Sequence, residues 1–163
     1  MMKSWIRIVW LGVASMTLNQ CATKPPQRKE THSAQSPPSV PKELHTHIGG
    51  FFGPSMSVEL AGPSTVIYKQ EKRGFIKDST PGEKVKISPE KWAAFRSELD
   101  QARVWKWKPE YINRNVSDGT GWEFKATYDD RKIDSSGLNA YPPPADFSRV
   151  QAAVRDLVGK PFH

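Results

Sequence analysis

The chain of 163 residues has a single cysteine, Cys21, so it can form no internal disulfide and no Cys-x-x-Cys zinc site. Histidine is also scarce. None of its four histidines lies between His47 and His163, which leaves a body beginning near residue 51 without an internal base for a Ser-His-Asp or Cys-His system. No apolar run reaches the ~20 residues that a membrane-spanning helix needs. Nor is there a block of one-sign charge. The formal net charge is +7, but beyond residue 50 acidic side chains are interspersed with 18 basic ones and number 15. A nucleic-acid binder concentrates its basic charge on one face, so nucleic acid is not expected as a partner.

The chain begins with Lys3 and Arg7, followed by the apolar stretch from Ile8 to Ala14 that continues through Met16 to Leu18. A short basic and then apolar start fits an export signal over residues 1–20. Leu18-Asn19-Gln20-Cys21 follows at once, and this stretch resembles a bacterial lipoprotein signal, with Gln20 standing where that pattern has a small residue. The resemblance implies that Cys21 carries the lipid and that a palmitoylated anchor holds the chain to a membrane of the cell envelope. Ordinary secretion, with cleavage near Ala14-Ser15, is the alternative.

Residues 21–50 read as a disordered tether. They hold Pro25-Pro26, Pro37-Pro38 and Pro41 among polar residues, with too little apolar surface to offset the entropy of ordering. His45 and His47 fall at its end with no cysteine or carboxylate cluster beside them. They read as solvated linker histidines, and neither metal nor cofactor is expected.

Residues 51–163 read as one α+β domain. Met56 to Leu60 alternates apolar and polar residues as a half-buried strand does, Gly62-Pro63-Ser64 supplies a turn, and Thr65 to Lys69 returns. Phe75-Ile76-Lys77 extends the sheet and Lys84 to Ile87 adds a short strand. Ser88-Pro89-Glu90 starts a helix over 89–103, with Trp92, Phe95, Leu99 and Ala102 on one face and Arg96 away from it. Alternation places Trp105 and Trp107 together on an inner side. Trp122, Phe124, Ala126 and Tyr128 share one face of the clearest strand, and Arg131 to Ser135 pairs back. Asp146 caps a last helix carrying Phe147, Val150, Val154 and Leu157, ended by Gly159 and Pro161. This ββαββα order suits a two-layer sandwich: an antiparallel sheet with both helices on one face.

Asp118-Gly119-Thr120-Gly121 is a turn. It precedes a strand and so cannot be a phosphate cradle at a helix start. Asp118-Gly119-Thr120-Gly121-Trp122-Glu123 with Asn139-Ala140-Tyr141-Pro142 resembles a bacterial domain family common in exported proteins. The resemblance covers residues 90–158 and implies a compact domain without a known activity. The expected binding edge is Trp107, Tyr111, Asp118, Asn139 and Tyr141, because aromatic rings with polar tips suit peptides and sugars. The first expectation is therefore a tethered envelope lipoprotein that binds an envelope protein or cell-wall material. No catalytic residue is assigned, and an enzyme is disfavoured. The alternative is a small hydrolase using Asp118, Glu123 and Asp134.

Overall fold

The structure, a computed structural model, describes residues 39–116 and 118–163. The export signal, Cys21 and the proline-rich part of the tether lie outside the described residues. The elements run β1 (Glu43–Gly50), β2 (Ser55–Gly62), β3 (Thr65–Glu71), β4 (Gly82–Lys86), α1 (Pro89–Gln101), a 3₁₀ turn (Val104–Lys106), β5 (Glu110–Ile112), β6 (Thr120–Thr127), β7 (Lys132–Leu138) and α2 (Pro144–Val158). The fold is α+β: seven strands in one mixed sheet, ordered β4-β3-β2-β1-β6-β7-β5, with two helices. Among the described residues no helix is long and apolar enough to cross a membrane.

Two features of the expected topology are corrected. Four strands precede α1 and three follow it, so the order is not ββαββα. The sheet is not wholly antiparallel either, because β5 runs parallel to β7, pairing Tyr111 with Gly137.

The folded body begins earlier than expected. Glu43–Gly50, assigned above to disordered chain, is the central strand, flanked by β2 and β6. Leu44, Thr46 and Ile48 are buried on one face while His45 and His47 point to the other. The period-2 alternation was present in the sequence, but Thr46 stood at a core position and hid it. The hydroxyl of Thr46 is satisfied there, donating to the Glu123 carbonyl at 2.9 Å.

One face of the sheet is apolar. Leu44, Ile48, Met56, Val58, Val66, Tyr68, Trp122, Phe124, Ala126 and Ile133 form a single core with the buried stripes of both helices. In α1, Ser88 caps the helix by accepting the Lys91 amide, and Pro89 occupies the first turn. The buried stripe is Trp92, Phe95, Arg96 and Leu99, so Arg96 is an inner residue and not a solvent-facing one. The α2 stripe is Val150, Ala153, Val154, Leu157 and Val158, and Gly159 ends the helix in the left-handed conformation at φ 67°. Asp146 is not the cap: Pro143 stands at that position, and the Asp146 carboxylate pairs with Arg103 at 2.9 Å.

The segment after α1 is a 3₁₀ turn and not a strand, because Arg103 adopts φ 52° and reverses the chain. Trp107 is still buried and Trp105 half-buried, as expected. Phe75-Ile76-Lys77 joins no strand. It belongs to the β3–β4 connection, which is tied to the β1–β2 tip by the Gly74 amide donating to the Gly53 carbonyl.

Candidate functional site

The sequence Gly49-Gly50-Phe51-Phe52-Gly53-Pro54 closes the β1–β2 hairpin at one end of the sheet. Gly50 lies against the Gly119 carbonyl so closely that a Cβ would collide with it, and the hairpin tip thereby sits on the start of β6. Phe51 and Phe52 meet edge to face with centroids 5.0 Å apart, yet are 60% and 65% exposed. They flank a groove of about 590 Å³. Its lining includes Ile48, Tyr141 and Phe147, with Thr120, Ser148, Gln151 and His163 as polar members.

The groove wall is the end of an aromatic stack. Tyr111 packs on Trp122 at 5.9 Å, Trp122 on Phe147 at 5.0 Å, and Phe147 on Tyr141 at 5.0 Å. Trp122 is fixed in turn by its indole N–H, which donates to the Ala140 carbonyl at 2.8 Å. The close approach of the indole needs Gly137 opposite it in β7, where a Cβ would strike the ring. Tyr141 is the outermost ring of the stack and is 42% exposed.

The expected binding residues are scattered by this arrangement. Only Tyr141 lines the groove. Trp107 is 8% exposed and wedged among Trp122, Phe124 and Phe147, so its ring is core and not a docking platform. Tyr111 is half-buried, and its hydroxyl accepts the Lys108 amide at 3.1 Å. Trp107 and Tyr111 both line a separate cleft, with Arg103, Lys106 and Lys108. Asp118 is exposed on the loop before β6. Asn139 holds a turn: it sits at φ 53°, and its side-chain amide donates to the Val116 carbonyl at 3.3 Å. Phe51 and Phe52 were missed by sequence reasoning. The signal was two adjacent phenylalanines between glycines and a proline, a turn composition that should carry polar side chains.

Of the three carboxylates proposed for hydrolysis, Glu123 and Asp134 are diagonal neighbours on one sheet face, and of the three only Glu123 lines a described cleft. Glu123 stands across from His47 on one side and Ser136 on the other, while Asp134 stands across from Lys125. Asp118 is outside these strands altogether. The absence of histidine from the folded body is corrected as well, since His45 and His47 lie on the open face of β1. His45 Nε2 is 3.5 Å from the Glu123 carboxylate. Partial burial holds the His47 imidazole below its usual pKa, against the upward pull of Glu123 and with a smaller downward push from His45.

A second apolar cleft of about 450 Å³ lies on this open face, where exposed Phe75, Ile112 and Leu138 surround Gly49, Gly121 and Ser136. No family model matches the chain and no curated protein matches it, so the likeness of residues 90–158 to an exported-domain family stands as an expectation.

Proposed function

We propose that this chain is a cell-envelope lipoprotein whose domain binds an apolar segment of an envelope protein in the groove beside Phe51 and Phe52. The observation that carries the reading is the exposure of two adjacent phenylalanines on a hairpin tip, next to a concave, mainly apolar surface. Leaving apolar area in water forgoes about 25 cal/mol per Å² of burial, and contiguous exposed apolar surface marks sites of association. The groove favours a peptide over cell-wall material. Sugars are bound by many directional hydrogen bonds, and here the lining is mainly apolar.

The export signal, Cys21 as lipid attachment site and a tether over residues 22–42 supply the membrane anchorage in this reading. A two-layer arrangement, both helices on one sheet face, leaves the opposite face and the hairpin tip open for contact. The hydrolase alternative has little support, because of its three carboxylates only Glu123 lines a described cleft.

A photo-crosslinking residue placed at position 52 tests the proposal in intact envelopes. Capture of one discrete envelope protein, lost when Phe51 is also changed to Ser, is expected. Absence of any adduct, or a uniform smear unaffected by Phe51→Ser, would sink it.

A further inference from the structure

Every large apolar side chain exposed among the described residues lies at one end of the sheet, on a strand end or connection where β1, β3, β5 and β7 finish. Phe51, Phe52 and Tyr141 line the groove. On the open face Phe75, Ile112 and Leu138 surround the second cleft, and they are 57%, 41% and 45% exposed. Strand register orders this face by depth. Its outermost row is Gly49, Gly121, Leu138 and Ile112, and the next row inward is His47, Glu123, Ser136 and Glu110. Two residues of strand separate the rows, about 6.6 Å, so the acids stand behind the apolar rim and not in it.

The connection beside this rim is basic. Lys72-Arg73-Gly74-Phe75-Ile76-Lys77 carries three basic residues and no acid, and the cations bracket the exposed ring on both sides. Lys72, Arg73 and Lys77 are exposed and enter no ion pair among the described residues, whereas Lys42, Lys125 and Lys160 are each paired with a carboxylate. Gly74 turns the segment at φ 81°, and its amide bond to the Gly53 carbonyl ties it to the β1–β2 tip.

We propose that this end of the domain docks on an anionic lipid surface, with Phe75, Ile112 and Leu138 entering the boundary between headgroups and acyl chains and with Lys72, Arg73 and Lys77 contacting lipid phosphates. An apolar edge collared by cations binds such an interface to a depth of about 5–10 Å. A shallow seat buries the outer row and leaves Glu110 and Glu123 on the water side. Asp78 and Asp118 weaken the positive field, but both lie outside the 72–77 segment. An acidic protein would satisfy the cations and leave the apolar rim in water, so lipid is the better match. None of these six docking residues lines the groove, and the proposal is therefore independent of the groove's occupant.

Full-length Cys21→Ala, carrying an environment-sensitive fluorophore at Val116→Cys, tests this on vesicles of phosphatidylglycerol mixed with phosphatidylcholine. The apolar stretch near the N-terminus can attach the chain by itself, so the readout is the emission of the label and not co-sedimentation. The Val116 label should shift to the blue and be quenched by brominated lipid. The same label at Lys132→Cys, at the opposite end of β7, should not respond. Phe75→Ser and the double variant Lys72→Ser/Lys77→Ser should each lose most of the shift, and vesicles of phosphatidylcholine alone should give little. Phe75 joins no strand, so its replacement leaves the sheet intact. An unmoved Val116 label, equal shifts at both labels, or a full shift in Phe75→Ser would overturn the proposal. So would a shift with soluble polyglutamate and none with vesicles, which would assign the segment to an acidic protein. The vesicles hold no protein, so failure here leaves the groove reading to its own cross-linking test.

Discussion

Arg96 holds Asp130 through two hydrogen bonds, Nη1 to Oδ1 at 3.1 Å and Nη2 to Oδ2 at 2.7 Å, and so ties α1 to the β6–β7 turn. The guanidinium is 5% exposed and lies over the Tyr128 ring at 4.4 Å and the Trp105 ring at 5.1 Å. Arg96→Ala removes the planar fork and the ring contacts together, and should destabilise the domain by about 2–3 kcal/mol in urea unfolding. Arg96→Lys should recover only part of this, because an ammonium cannot bond both oxygens in one plane. Equal stability of the Lys variant and the native chain would refute the bidentate role.

The same pair makes stability depend on acid. Hydrogen bonding from Arg96 holds the Asp130 carboxyl at about 2, against an ordinary 3.8. The folded value is the lower one, so on acidification the unfolded chain takes up its proton first. The contribution is therefore present above the ordinary carboxyl range and is lost as pH falls from 3.8 toward about 2. Melting temperature should drop more steeply across that window in the native chain than in Asp130→Asn. Parallel curves would show that Asp130 titrates alike in both states.

Trp122 and Gly137 form a complementary pair across β6 and β7. Trp122→Ala should cost about 3–5 kcal/mol, since it empties the centre of the aromatic stack. Gly137→Ala should also destabilise, because its new methyl meets the indole. Combined with Trp122→Phe, which vacates that space, Gly137→Ala should cost less than it does alone. Additive losses in a double-mutant cycle of urea midpoints would mean that the two positions do not touch.

How far the fold could be read in the sequence differs by element, for physical reasons. The helix at Ser88-Pro89-Glu90 was legible because its cap, its first-turn proline and its apolar stripe are all local. The β6 strand was legible because Trp122, Phe124 and Ala126 alternate without a polar intruder. β1 was not, since Thr46 is buried only because the Glu123 carbonyl, 77 residues away, accepts its hydroxyl. β5 has three residues and exists through its parallel pairing with β7, which nothing in its own composition signals. At the candidate site Tyr141 was anticipated and Phe51 and Phe52 were not. A phenylalanine's exposure depends on what folds back over it, and here nothing among the described residues does.

The lipid reading stands on residues before the domain and has its own test. Cells given labelled palmitate should incorporate it into the native chain and not into Cys21→Ala. The variant should also leave the membrane fraction, because a single removed anchor leaves only weak surface attachment. Incorporation that persists in Cys21→Ala would place the modification elsewhere.

The last prediction concerns where the domain begins. β1 separates β4-β3-β2 on one side from β6-β7-β5 on the other, bonded to β6 along its whole length and to β2 from His45 to Ile48. Removing residues 1–50 would therefore do more than trim a tether. It would expose two unpaired inner edges, strip Leu44 and Ile48 from the core, and leave a three-stranded fragment on either side. Residues 39–163 keep β1 whole, along with the Lys42 amide that donates to the Thr127 carbonyl at 2.7 Å, and should fold with a cooperative melt. Residues 51–163 should show no cooperative transition by circular dichroism and should aggregate through the opened edges. A sharp melt from the shorter fragment, at the same temperature as the longer one, would mean that β1 is dispensable and that the two halves of the sheet can pair without it.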